Sequence, residues 1–308
     1  MSNIEDSNNS DKETNNEVEL SELVSVLWNK KFFIFSISTL FAFISILYAL
    51  SLPNMYISSA LLYPADNKDS GSSMLGQYSG MASLAGISLA SSGSDRSVEA
   101  IERIRSYDFF SKFFLPEISL QDLVAQDRWD ASKNKLSYDE EIFDNKLNKW
   151  IDGIPSHQAA YKIYNDKLTI SRDKKTFFVY ISIKHKSPYI AQEWTEKIIK
   201  KINSSMRDED KNIASKSVDF LNNQVQKVNY ADIRQAIVSL QESQMQSLML
   251  IEANEDYIFR ILDSPIVPEK KSEPRRSTIV ILGTILGFFL SSIVSLASLI
   301  TWPTSNKS

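Results

Sequence analysis

The chain has 308 residues, a formal net charge of −4 and no cysteine. The missing cysteines remove disulfides, zinc-thiolate sites and thiol nucleophiles, and the near-neutral body argues against an electrostatic nucleic-acid binder. Two long uncharged apolar runs argue against an ordinary soluble chain.

Residues 1–17 are rich in Asn, Ser and acids and hold, after the initiating Met1, one large apolar residue, Ile4, too little to order themselves. The next stretch places Leu20, Leu23, Val24, Leu27 and Trp28 on one helical stripe. It reads either as an amphipathic helix on the cytoplasmic leaflet or as an extension of the helix that follows. Phe32 to Leu52 is 21 residues without a charge, long enough to cross a hydrocarbon core of ~30 Å. Ala49-x-Ser51 loosely imitates a signal cleavage site, but the run exceeds the ~7–15 residues of a signal core and 31 residues precede it. Lys30 and Lys31 place the N-terminus in the cytoplasm.

Past Pro53, Met55 to Pro64 alternates as a strand. Ser70 to Ser94 is uncharged and contains Gly71, Gly76, Gly80, Gly86 and Gly93; it reads as a partly helical loop near the membrane or as a plain flexible linker. Asp95 to Phe114 reads as a helix, and Leu120 to Trp150 as further amphipathic helices, followed by a turn at Asp152-Gly153. Leu168 to Ser171 and Thr176 to Lys184 read as a strand pair, with Val179, Ile181 and Ile183 on one face. Ser187-Pro188 is an N-cap with proline at the first helical position. From there to Val228 no Gly or Pro interrupts, a helix of ~60 Å at 1.5 Å per residue. Asn229 and Asp232 resemble a capping box that restarts a second helix, giving a long helical hairpin; one helix unbroken to about Ala253 is the alternative. Asp256 to Leu262 reads as a strand returning beside Met55 to Tyr63.

No phosphate-cradling G-x-x-x-x-G-K-[ST] occurs. His157 and His185 read as surface residues, and Asp208, Glu209 and Asp210 as a solvated helix face. No catalytic, cofactor or metal residues are expected. Thr278 to Ile300 is a second uncharged run, of 23 residues, and neither run holds an ionisable group that could form an ion path. Gly283 and Gly287 form a GxxxG, and Ser38, Ala42, Ser45 and Ala49 offer small residues in the first run, spacings that permit close helix contact in lipid. Just ahead of the second run, Pro265, Pro268 and Pro274 predict an extended strut of fixed reach, or merely a linker that stops the helix. Arg275 and Arg276 then fall where headgroups or carboxylates can pair with them. They sit on the side of the large loop, against the usual charge bias, but that bias weakens for loops beyond ~60 residues.

These pieces give an α+β periplasmic domain with a small membrane-proximal mixed sheet and long extended helices, flanked by two transmembrane helices. The expected boundaries are a cytoplasmic tail at 1–31, spans at 32–52 and 277–300, the periplasmic domain at 53–276 and a short cytoplasmic tail at 301–308. With its ELSELVSVLWNKK lead-in (Glu19 to Lys31), MASLAGISLASSG (Met81 to Gly93) and the proline-rich entry from Asp263 to Gly287, the chain resembles the chain-length determinant (Wzz-type) polysaccharide co-polymerases. The resemblance implies an inner-membrane homo-oligomer whose periplasmic domains bundle side by side and set the modal length of O-antigen or a related surface polysaccharide. Its implied partners are further copies of itself, a Wzy-type polymerase, lipid-linked polysaccharide and the membrane. Eight residues follow Ile300 and hold no nucleotide motif, so kinase activity is not carried over. Pro265, Pro268, Pro274, Arg275, Arg276, Gly283 and Gly287 are the residues expected to serve coupling and assembly. The competing readings are a structural adaptor in polysaccharide export and a membrane enzyme of glycolipid metabolism.

Overall fold

The structure, a computed structural model, describes residues 27–65 and 96–301. The lead-in before Leu27, the uncharged Ser70–Ser94 stretch and the tail beyond Thr301 lie outside the described residues. The chain falls into two units, one of Met1–Leu52 with Arg275–Ser308 and one of Pro53–Pro274.

Among its described residues the first unit holds two long helices, α1 (Lys31–Ser51) and α7 (Arg276–Thr301), which pack against each other. Both are long and apolar enough to cross a membrane. Most large side chains on them, Phe35, Phe43, Leu286 and Phe289 among them, are exposed. That is the inverse of a soluble core helix and suits hydrocarbon as the solvent.

The second unit is built on a four-stranded sheet in the order β6-β7-β1-β8, from β1 (Tyr56–Pro64), β6 (Leu168–Arg172), β7 (Val179–His185) and β8 (Phe259–Asp263). All three pairings are antiparallel, where a mixed sheet was expected. The physical reason lies in the connections. β6 and β7 form a hairpin, and β1 inserts between β7 and β8, so the crossovers from β1 to β6 and from β7 to β8 each skip a strand and join strands that are not bonded to each other. The predicted strand at Asp256 to Leu262 is present and pairs with β1 as expected, Leu62 opposite Ile261 and Tyr63 opposite Arg260. Along β7, Val179, Ile181 and Ile183 are fully buried while Tyr180 is exposed, the alternation read from sequence.

Against the buried face lies the first half of α5 (Pro188–Val225). Ser187 caps this 38-residue helix, its Oγ accepting from the Ile190 amide. Ahead of it, α2 (Arg96–Arg105) ends at Ser106, whose extended backbone and hydroxyl cap the next turn at Phe109. The expected single helix to Phe114 is therefore two. The second widens into a π turn at Phe110–Phe114, a local insertion of the kind that re-aims side chains. Phe109, Phe110 and Phe114 are all buried by it, and the rings of Phe110 and Phe114 each lie 5.0 Å from that of Tyr164. Tyr164 sits on α4 (His157–Lys167) and donates its buried hydroxyl to the Ile104 carbonyl at 3.0 Å. Rings of this size each bury ~150–250 Å², so this cluster is the energetic centre of the unit.

Leu120 to Trp150 departs from its helical reading. Only α3 (Leu120–Val124) is helical; the rest is two hairpins, β2 (Gln126–Asp130) with β3 (Lys135–Tyr138), and β4 (Phe143–Asp144) with β5 (Lys149–Trp150). Both turns obey one chemistry. The Oδ1 of Asp130 accepts from the amides of Ser132 and Lys133, and that of Asp144 from Lys146 and Leu147. Four residues after each aspartate, Asn134 and Asn148 take positive φ, which asparagine tolerates well. The β6–β7 turn repeats the pattern from Asp173 to Phe177, where a phenylalanine holds the left-handed conformation at φ 60.

Beyond α5 the chain turns and returns as α6 (Ala231–Ala253), so the long hairpin is present. Its second helix starts at Tyr230 without a side-chain cap, so the expected Asn229–Asp232 capping box does not form.

Candidate functional site

The residues singled out from sequence fall into two places, one in each unit. In the lobe, the segment from Pro265 to Pro274 is neither helix nor strand, bends at Glu269 and Lys270, and runs beside the start of β1. Ser58 Oγ donates to the Ile266 carbonyl at 2.8 Å. Further along, the Met55 amide donates to the Glu273 carbonyl, and the Ser272 amide donates to the Met55 carbonyl, both at 2.9 Å. Glu273 also pairs with Lys184 of β7 at 3.0 Å, and Lys271 donates to Asn54 at 3.2 Å. Pro265 is buried; Pro268 and Pro274 are half-buried. These hydrogen bonds tie the segment to the start of β1. It clips the chain's exit from the lobe to its entry, through one strand of the sheet.

In the helix pair, Arg276 opens α7 and reaches the carboxyl end of α1, donating from Nε to the Ala49 carbonyl at 2.9 Å and from a terminal nitrogen to that of Leu52 at 3.5 Å. A helix leaves its last carbonyls without intrahelical partners, and a cation there also complements the dipole. Arg276 was expected to meet headgroups or carboxylates; in the structure it meets helix carbonyls. Arg275 is exposed, and its carbonyl accepts from the first amides of α7. Deeper along the pair, a Cβ at Gly283 would overlap Ser45 Oγ and lie 2.7 Å from Ser45 Cβ, and one at Gly287 would lie 2.5 Å from Phe41 Cβ. Both glycines therefore serve close approach of α7 to α1 within one chain.

Three further sets of residues escaped the sequence reading. Asn203, buried on α5, donates to the Phe259 carbonyl at 2.8 Å and accepts from the amides of Ile258 and Phe259 at 3.0 and 2.9 Å. It pins the returning strand to the long helix. Asp210 and Glu209, read as solvated, hold α2 instead. Arg96 and the Tyr257 hydroxyl each lie 2.5 Å from Asp210, and Arg103 pairs with Glu209. Burial and this carboxylate push the Tyr257 hydroxyl up to about 12. Both partners meet Oδ2 of Asp210, so the cluster works as a clasp between α5, α2 and the chain ahead of β8.

His185, read as a surface residue, is fully buried. Its place at the end of β7 turns it inward, against the indole of Trp194 at 4.9 Å. The Ser187 amide donates to Nδ1 at 3.0 Å, which leaves Nε2 to donate to the Asp122 carbonyl at 2.9 Å. Burial drives its pKa from 6.5 down to about 3, so the ring is neutral. His157 is exposed at the start of α4, as expected.

The distal half of the hairpin carries exposed apolar side chains. A groove of about 520 Å³ lies between α5 and α6, lined by Ile213, Phe220, Leu221 and Leu240. Phe220 is 61% and Leu240 57% exposed. Polar ties from Asn222 to Gln241 and from Lys211 to Glu252 close the hairpin.

Residues 16–114 match the Wzz family model, described as chain length determinant protein. Among solved structures, a full-length bacterial polysaccharide co-polymerase aligns at 15% identity and a TM-score of 0.41, over 94% of this chain and 100% of its own. A fragment of WzzB, a polysaccharide co-polymerase from Salmonella Typhimurium, aligns at 14% and 0.31, over 71% and 100%. A Shigella flexneri lipopolysaccharide O-antigen chain-length regulator aligns at 12% and 0.23, over the same shares. No curated protein sequence matches the chain.

Proposed function

We propose that this chain, whose residues 16–114 carry the pattern of the Wzz chain-length determinants, is a non-catalytic regulator of polysaccharide chain length in the bacterial inner membrane. The observation that carries the reading is that family match together with two spanning-length apolar helices that bracket one α+β lobe. In this reading both termini are cytoplasmic and the lobe is periplasmic. Copies assemble side by side through the apolar face of the α5–α6 hairpin, forming a ring around or beside a Wzy-type polymerase and its lipid-linked product. Many weak contacts spread over several subunits give avidity, so polymer length can be read without a single strong site.

Within this scheme Pro265, Pro268 and Pro274 stiffen the exit strut, and Arg275 and Arg276 mark where it becomes a membrane helix. Gly283 and Gly287 let the two spans of each subunit act as one anchor. A load on the spans would then reach the sheet through the Met55–Glu273 clip.

The test is a gel of surface polysaccharide from deletion and complemented strains. The expected result is polymer that persists in the deletion strain with a broadened length distribution, restored by complementation. Loss of polymer altogether would replace this reading with that of an export adaptor. Reporter fusions placing residues 53–274 on the same side as the N-terminus would overturn both.

A further inference from the structure

We propose that the cleft between the two small hairpins and the amino end of α5 binds a short stretch of neutral, hydroxyl-rich glycan. The choice of polymer rests on the chain-length reading; the class of ligand follows from what lines the cleft. Its volume is about 480 Å³, within the ~300–1,000 Å³ usual for small-ligand sites.

Sugars present two kinds of surface, C–H patches that settle on aromatic faces and hydroxyls that both donate and accept. The cleft supplies a counterpart to each. Trp129 and Tyr189 form one aromatic wall, their rings 5.8 Å apart at 48°, with Tyr189 50% exposed. Tyr138, edge-on to Phe143 at 5.6 Å, belongs to the other side. Four planar amides, those of Gln121, Asn134, Asn145 and Asn148, also line the cleft and make no side-chain hydrogen bond to the described residues. Each offers a donor pair and an acceptor, the set that adjacent hydroxyls require.

Charge narrows the ligand further. Among the described residues, Lys135 is the one cation lining the cleft and Asp122 the one carboxylate. Asp122 accepts the Tyr138 hydroxyl at 2.6 Å and is thereby engaged. A nucleotide or a polyanion would call for several cations, whereas aromatic rings with open amides suit an uncharged polar chain.

The site is also held in place before any ligand arrives. The Asp130 and Asp144 turns fix Asn134 and Asn148 at the tips of their hairpins. Beneath them, buried His185 ties the Asp122 carbonyl to the Ser187 amide, so α3 and the start of α5 share one anchor. Pre-set walls reduce the ordering cost of binding.

The experiment uses the full chain in lipid nanodiscs and isothermal titration with repeat-unit oligosaccharides released by mild acid from the host cell's own surface polysaccharide. The wild-type protein is expected to bind them. Tyr189→Ala should weaken binding by about tenfold or more, the scale of one lost aromatic contact. Asn148→Gly keeps the left-handed turn while removing the amide; it should also lose affinity, with an unchanged melting temperature. Wild-type protein that binds none of the oligosaccharides, or variants that bind as tightly as wild type, would overturn the proposal. The two ideas fail separately. No binding alongside broadened lengths in the deletion strain defeats the cleft and leaves the regulator. Binding lost in Tyr189→Ala, with lengths unaltered by deletion, leaves the cleft and defeats the regulator.

Discussion

Within the single helix α5, Trp194, Ile198, Ile199, Ile202 and Met206 are all at most 2% exposed. From Arg207 onward only Ala214 and Val218 are buried, and Ile213 and Phe220 lie more than half open. The residue types differ little; the neighbours differ. The first half lies on the sheet and the aromatic cluster of Phe109, Phe110, Phe114 and Tyr164. Past Asp210, which still holds α2, the second half packs mainly against α6 among the described residues. Two helices bury only the seam between them and leave the rest of each apolar stripe open. The difference teaches that the base closes its own core, while the tip is an apolar helix pair whose remaining face is left open. Mutations in the two halves should therefore separate stability from assembly.

The largest effect belongs to the base. Trp194→Ala removes an indole lying edge-on to Phe114 at 5.7 Å and to His185. A cavity of that kind costs ~3–5 kcal/mol, a large share of the ~5–15 kcal/mol that holds a typical protein folded. It should lower the denaturation midpoint of the lobe sharply. A loss below ~1 kcal/mol would show that the base is not one tightly packed core.

The helix pair sharpens the comparison from a third environment, where hydrocarbon is the solvent and close fit replaces hydrophobic drive. Gly283→Leu with Gly287→Leu inserts side chains where even a Cβ meets Ser45 and Phe41. Overpacking of this kind costs ~1–3 kcal/mol. It should lower the resistance of the α1–α7 pair to SDS in mixed micelles and leave the lobe's own unfolding unchanged. An unaltered SDS titration would show that the two helices hold by other contacts.

A third prediction uses pH to act on the base alone. His185 is neutral in the fold, with its pKa lowered to about 3 first by burial and then by the nearby charges of Lys167 and Lys186, against the bonds it makes to Asp122 and Ser187. Unfolded, its pKa returns to ~6.5. Above that pH neither state binds the proton and the stability is fully present. As pH falls from ~6.5 towards 3, the unfolded chain takes up a proton that the folded one refuses, and stability drops by up to ~1.4 kcal/mol per unit. The lobe should be ~2 kcal/mol weaker at pH 5 than at pH 7. His185→Gln should flatten that slope; an unchanged slope would assign the acid sensitivity to other groups.

The same contrast explains what could be read in advance. Long elements with a single neighbour type announced themselves: α1 and α7 by unbroken apolar runs, β7 by alternation, α5 by its cap and freedom from Gly and Pro. The proline-rich segment was legible as a break ahead of the second apolar run, but its bonds to Met55 and Ser58 join residues more than 200 positions apart, and no local pattern encodes them. The hairpins between Gln126 and Trp150 were misread because strands of two to five residues are too short to show a period. A signal was nonetheless present, since Asp130 and Asn134, Asp144 and Asn148 repeat an aspartate followed four residues later by asparagine. That spacing is the turn itself. His185 was misjudged because its lysine neighbours in sequence point away from the core while it points in. Asn203 carried no signal at all: a buried amide on a helix becomes meaningful only once the chain that needs it has arrived.

The smallest effect on stability is predicted at the tip, and it is the one that tests the comparison most directly. Phe220 is 61% exposed, so Phe220→Ser removes little burial within one chain and should change the lobe's stability by less than ~0.5 kcal/mol. In an assembly of the proposed kind the same ring is covered by a neighbouring subunit, and its loss removes up to ~1.5–3 kcal/mol from every contact around the ring. Cross-linking or mass photometry in nanodiscs should then show smaller oligomers from a chain that melts like wild type. Intact oligomers would mean that the groove beside Phe220 faces solvent in the assembled protein as well. A fall in melting temperature without any change in assembly would mean that the tip is part of the subunit's own core, and the distinction between the two halves of α5 would fail.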